Sequence, residues 1–131
     1  MEDQDSVKTN GTLGRVLVVE DAAVVRRSIR MILANAGYEV AEAANGEEAI
    51  EILQASEGPR PMDAILSDLR MPRIDGVELI VYFRTCYPAI PVVSLTTYQD
   101  VELAVSLMRK GAIDFIVKPV LQDELLAVIG R

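Results

Sequence analysis

The chain has 131 residues, enough for one domain with a sizeable core. Half of them are hydrophobic and 25% are charged, with a net charge of −7 and a pI near 4.6, so a basic nucleic-acid-binding surface is excluded and cations or basic partner faces stay open. There is no histidine, which removes Ser–His and Cys–His nucleophilic chemistry and any histidine-based metal site.

Residues 1–14 are polar and acidic with little to bury, and read as a flexible N-terminal tail before a folded unit over residues 15–131. They have the opposite character to a signal peptide, and no apolar run approaches the roughly 20 residues that span a bilayer. Together with a single cysteine, Cys86, this points to a reducing, cytoplasmic setting. Cys86 itself is expected to be buried or at a boundary.

Arg15-Val-Leu-Val-Val19 is a short continuous apolar run suited to a strand covered on both faces. Similar runs recur at Tyr38–Ala41, Ala64–Leu66, Ile90–Leu95 and Ala112–Val117. Helical patterns separate them. Val25, Ile29, Ile32 and Ala36 share one helical stripe, which Asn35-Ala36-Gly37 terminates. Asn45 caps a second amphipathic helix from Gly46. Gly58-Pro-Arg-Pro61 breaks the chain, and Asp75-Gly76 opens a third helix. Asp100 caps a fourth, which ends at Lys110-Gly111, and a fifth runs from about Leu121 to Ile129. Strand and helix alternate five times, which predicts an α/β fold: a doubly wound parallel sheet of five strands with five helices on its two faces.

In such sheets ligands bind beyond the carboxyl ends of the strands, where strand order reverses. Glu20 and Asp21 follow the first strand, Asp68 the third, Thr96 and Thr97 the fourth, and Lys118-Pro119 the fifth. Three carboxylates, a hydroxyl and an ammonium therefore meet at one edge. The acidic first loop suits neither a dinucleotide nor a flavin phosphate. Crowded carboxylates repel one another unless a cation intervenes, and Mg²⁺ with oxygen ligands is the natural choice. Read singly, Asp21 is also a candidate helix cap, Asp68 a turn residue, Lys118 a solvated charge, and Thr96 a strand-end hydroxyl that satisfies backbone groups.

Four segments, in this order and spacing, resemble the receiver domain of bacterial two-component response regulators. They are Val16-Leu-Val-Val-Glu20-Asp21; Leu66-Ser-Asp68-Leu-Arg-Met-Pro72 with Asp75-Gly76; Val92-Val-Ser-Leu-Thr96; and Gly111-Ala-Ile-Asp-Phe-Ile-Val-Lys118-Pro119. The resemblance implies a flavodoxin-like strand order 2-1-3-4-5. It implies a phosphoprotein rather than an enzyme, with Asp68 as the phosphoacceptor and a histidine kinase or histidine phosphotransfer domain as donor. Asp21, Asp68 and the backbone carbonyl of Arg70 would bind Mg²⁺ directly, and Glu20 through a bound water. Lys118 would pair with the phosphoryl oxygens, Thr96 would move toward them, and Phe115 would change rotamer in response. The Lys118–Pro119 bond is expected to be cis.

The chain departs from the family pattern in places. Glu20 stands where aspartate is common, and Thr97 where alanine or glycine is usual, so small phosphodonors are expected to be hindered. Arg70 and Tyr98 occupy positions that line the path of attacking water, and the acyl-phosphate lifetime is expected to depend on them. In the fourth helix a core stripe of Val101, Ala104, Val105 and Met108 would leave Leu103 and Leu107 outside. Leu126 lies off the Leu121, Leu125, Val128 stripe of the last helix in the same way. These leucines are a candidate partner face for phosphorylation-dependent docking or homodimerisation over the fourth helix, fifth strand and fifth helix. The segment from Thr97 to Pro119 resembles receivers joined to ATPase or DNA-binding outputs. No nucleic-acid or membrane contact is expected of the chain itself, which reads either as a single-domain regulator or as a piece of a longer one. Three rivals remain: an unphosphorylated receiver-like binding module, a hydrolase with an aspartyl-phosphate intermediate, and a flavodoxin-like electron carrier. The hydrolase would want a carboxylate where Arg70 stands, and the carrier more aromatics than this chain has.

Overall fold

The computed structural model describes residues 13–56, 61–70, 76–112 and 114–130. Five strands, β1 (Arg15–Val19), β2 (Glu39–Ala43), β3 (Ala64–Asp68), β4 (Val92–Thr96) and β5 (Asp114–Val117), form one sheet in the order β2-β1-β3-β4-β5. Every neighbouring pair is parallel. Five helices connect and flank them: α1 (Ala23–Asn35), α2 (Gly46–Ala55), α3 (Gly76–Cys86), α4 (Val101–Arg109) and α5 (Gln122–Ile129). A 3₁₀ turn, Tyr98–Asp100, leads into α4. The alternation predicted from sequence is thus the fold, with strand and helix ends within two residues of the expected ones.

Burial explains why the central runs are continuous. All five residues of β3 and of β4 are buried, because helices cover both faces. The edge strand β2 buries only Ala43, and its sequence carries Glu39 and Glu42 accordingly. Alternate side chains feed two cores. Leu17, Val19, Ile65 and Val92 pack under α2, α3 and α4; Val16, Val18, Leu66 and Leu95 pack with Ile29 and Leu33 of α1 and Leu125 of α5.

Capping sets the helix ends. The Asn45 side chain accepts from the Glu48 N–H at 2.9 Å, and Glu48 Oε1 accepts from the Ala44 N–H at 2.7 Å. Gly37 ends α1 with φ +108°, and the Tyr38 N–H reaches back to the Leu33 carbonyl at 3.0 Å. Gly76 serves packing rather than a turn. A Cβ there would lie 2.2 Å from the Leu69 carbonyl oxygen, so only glycine lets α3 start against the end of β3. Leu13 and Gly14, the last residues of the expected tail, bond to the body through Gly37 and Glu39, and the rest of that tail lies outside the described residues. The breaker at 58–60 and Asp75 also lie outside them.

Candidate functional site

Strand order reverses between β1 and β3, and the candidate residues meet at the carboxyl ends of these strands. Four consecutive buried residues deliver the chain from β1 directly to Glu20, which is itself buried. Its backbone is fixed on both sides. The Glu20 N–H donates to the Ala43 carbonyl at 3.0 Å, and its carbonyl accepts from the Arg26 guanidinium at 2.8 Å. Its Oε2 accepts from the Ala22 N–H at 3.0 Å. Asp21, the next residue, is exposed. Asp68 is the last, buried residue of β3; its Oδ1 accepts from the Arg70 N–H at 3.2 Å.

Lys118 joins the two buried acids. Its Nζ lies 2.7 Å from Glu20 Oε1 and 3.1 Å from Asp68 Oδ2. The lysine backbone is anchored first: its N–H donates to the Thr96 carbonyl at 2.7 Å, and the bond to Pro119 is cis. One carboxylate oxygen from each of Glu20, Asp21 and Asp68 lies within 4.8 Å of the others.

The charges perturb one another as this crowding requires. Burial pushes the Glu20 carboxyl above its ordinary value, and the Asp68 charge adds to that; Lys118 and the Ala22 N–H oppose it without cancelling it. Burial pulls the Lys118 ammonium down, but Glu20 and Asp68 outweigh it and hold the group above its ordinary value. One ammonium among three carboxylates leaves the cluster short of positive charge. Hard oxygen donors on rigid strand ends with this deficit fit a divalent cation.

Residues 16–130 match the family model of the response regulator receiver domain. The chain belongs to that family. Over 118 residues it is 38% identical to the DNA-binding transcriptional regulator NtrC of Escherichia coli (strain K12), covering 90% of this chain and 24% of that protein. It therefore spans about a quarter of that relative's length. The solved receiver domain of NtrX from Brucella abortus superposes with a TM-score of 0.82 at 31% identity, covering 88% of this chain and 95% of that one. The chemotaxis protein CheY4 of Vibrio cholerae superposes with a TM-score of 0.81 at 33% identity, covering 92% and 98%.

In this receiver Asp68 and Thr96 are the terminal residues of their strands rather than the residues after them. Thr96 is buried, and its hydroxyl donates to the Thr97 carbonyl at 3.3 Å rather than to Asp68. Phe115 is half-buried and packs on the core beneath α3 and α4. Thr97 and Tyr98, the residues after β4, are exposed.

Several expectations need correction. Leu107 does not point outward: it is 1% exposed and packs in the core with Ala104. Leu103 is half-buried against the same core, while Val105 and Met108, assigned to the core stripe, are the exposed pair. Leu126 is half-buried against α1 and the sheet, and Leu121 is exposed instead. Leu107 therefore cannot belong to a partner face, and Leu103 and Leu126 offer only part of their side chains to one. The physical reason is that α4 carries apolar residues at 101, 103, 104, 105, 107 and 108, so two overlapping stripes are equally periodic, and the sheet selects the one with the larger side chains. Cys86, at the end of α3, is exposed rather than buried. Asp21 does not cap α1, whose N-cap position is Ala22. Asp100 stands at the N-cap of α4 but makes no capping bond; its carboxylate is taken by Arg70.

Two supporting contacts escaped the sequence reading. Arg26 holds the Glu20 carbonyl and the Glu42 carboxylate together. The Arg70–Asp100 pair spans 30 residues. Neither contact has a local signature in the sequence.

No helix among the described residues is long and apolar enough to cross a membrane.

Proposed function

We propose that this receiver takes a phosphoryl group from a partner histidine onto Asp68 in a Mg²⁺-dependent reaction. It would then relay the change through α4, β5 and α5 to a partner or output domain. The observation that carries this reading is Lys118 Nζ, set against both Asp68 and Glu20 within an acidic triad. A carboxylate oxygen of Asp68 attacks phosphorus, the P–N bond to the donor imidazole breaks, and the imidazole leaves with the bonding pair. The product is an acyl phosphate, which water later cleaves to restore the carboxylate and release phosphate.

Asp21, Asp68 and the Arg70 carbonyl would hold Mg²⁺, with Glu20 acting through a bound water. Bound there, Mg²⁺ supplies charge neutralisation on the transferred phosphoryl oxygens. The chain's own groups do the rest. β1 and β3 hold the carboxylates in fixed positions, so little reorganisation precedes attack. Lys118 presents its ammonium beside the attacking carboxylate. The Thr96 hydroxyl turns from the Thr97 carbonyl toward the new phosphoryl group, and Phe115 fills the space that this movement opens. Arg70 and Tyr98 limit the approach of water, so the Arg70→Ala/Tyr98→Ala variant is expected to have an altered acyl-phosphate lifetime.

The test is intact mass after incubation with Mg²⁺ and phosphoramidate. One added phosphoryl group, lost with EDTA and in Asp68→Asn, is the expected result. Because Thr97 crowds the mouth, a phosphorylated histidine phosphotransfer domain is the second donor. No transfer from either donor would leave a receiver-like binding module in its place.

A further inference from the structure

Arg70 touches two parts of the molecule at once. Its backbone N–H bonds Asp68 Oδ1 at 3.2 Å, while its side chain turns away from that carboxylate toward the turn before α4. There Nε lies 2.9 Å from Asp100 Oδ2 and NH2 lies 2.8 Å from Asp100 Oδ1, a two-bond fork. The acid is the fixed half of this pair: its side chain is 13% exposed against 68% for the arginine.

Asp100 is in an unusual situation. It occupies the N-cap position of α4, where an aspartate ordinarily has extended backbone and accepts from an amide two or three residues on. Here its backbone has φ −108° and ψ 12°, and it makes no such bond. The 3₁₀ turn Tyr98–Asp100 runs directly into α4, with the Val101 N–H donating to the Tyr98 carbonyl, so in this state the Asp100 side chain is not used as a cap.

A phosphoryl group on Asp68 changes the balance. It brings further negative charge and three strong acceptor oxygens to within a residue or two of Arg70, and a guanidinium binds such a group in the same forked manner. Resting on the reading that Asp68 is phosphorylated, we propose that the Arg70–Asp100 pair is a resting-state latch between the acceptor loop and α4. Phosphorylation draws Arg70 toward Asp68, and the released Asp100 turns to cap α4. A charge change at the acceptor thus becomes a change in the first turn of a helix. Because the pair exists in one state only, its removal shifts the population toward the other.

The experiment uses the full chain with Mg²⁺ and beryllium fluoride, which occupies the place of a phosphoryl group on a carboxylate. Binding is measured by titration, and the amide shifts of residues 97–105 by NMR. Asp100→Asn removes the carboxylate charge that Arg70 grips and still supplies a capping side chain. It should bind beryllium fluoride roughly 5-fold tighter or more than wild type. Its unliganded α4 amides should lie part-way along the path that wild type follows on binding. Arg70→Gln frees Asp100, so it should move the same amides the same way, without tighter binding. A purely structural role for Asp100 would leave α4 unmoved in Arg70→Gln. Wild-type affinity and shifts in Asp100→Asn, or unmoved α4 amides in Arg70→Gln, would overturn the latch alone. Failure of wild type to bind beryllium fluoride would overturn the phosphorylation reading, and the latch with it. Should Asp100→Asn fail to fold, the Arg70→Gln shifts decide.

Discussion

Two three-charge clusters lie close together on this sheet, and they are built in opposite ways. At the ends of β1 and β3, the single cation Lys118 serves two anions, Glu20 and Asp68, with side chains 23%, 1% and 7% exposed. Along the β2 edge, the single anion Glu42 serves two cations, Arg26 and Arg30, with side chains 29%, 16% and 43% exposed. Water can screen the second cluster, which has no chemistry beyond pairing. The first is buried, and Asp21 beside it adds a further negative charge. The difference shows that an ion pair becomes a site when burial and imbalance coincide. Arg26 connects the two, bonding the Glu20 carbonyl and the Glu42 carboxylate, so the exposed cluster braces the buried one.

Removing the cation should separate them most sharply. Lys118→Met leaves Glu20 and Asp68 facing each other without a partner. Loss of a buried pair's partner costs about 3–5 kcal/mol, and the partial exposure of Lys118 reduces this to about 2 kcal/mol at pH 7. Urea denaturation would measure it, and Mg²⁺ should restore more stability to the variant than it adds to wild type.

Proton linkage should be smaller but specific. Because the Glu20 carboxyl titrates above its ordinary 4.5, it is already taking up a proton at a pH where a solvated glutamate would remain charged. Mg²⁺ affinity should therefore fall as pH is lowered through that raised range, with a proton released on binding there. Calorimetry in buffers of different ionisation enthalpy would detect the proton, and Glu20→Gln should abolish its release. The smallest effect belongs to the balanced cluster: Glu42→Gln should lower stability by less than about 1 kcal/mol and leave Mg²⁺ affinity unchanged. A larger loss would show that the brace on Glu20 matters more than its exposure implies.

The contrast also explains what the sequence made legible. Burial on both faces writes a strand as an apolar run, so β1, β3 and β4 announced themselves, and the acids at their ends were placed before any coordinates. Capping is local, so Asn45, Gly37 and Gly111 were readable too. What required the fold was anything decided between distant segments. Leu107 and Val105 are equally periodic on α4, and only the sheet beneath chooses Leu107. Asp100 reads as a cap until Arg70 takes its carboxylate. Gly76 reads only as a helix start until the Leu69 carbonyl is seen beneath it.

The claim that Asp68 is the acceptor is tested most directly by marking the acylated side chain. After transfer from a phosphorylated histidine phosphotransfer domain in Mg²⁺, borohydride reduces an acyl phosphate on aspartate to homoserine, and peptide mass spectrometry locates it. Homoserine at position 68 and nowhere else is the predicted result. Homoserine at position 21, or none at all despite an active donor, would contradict it.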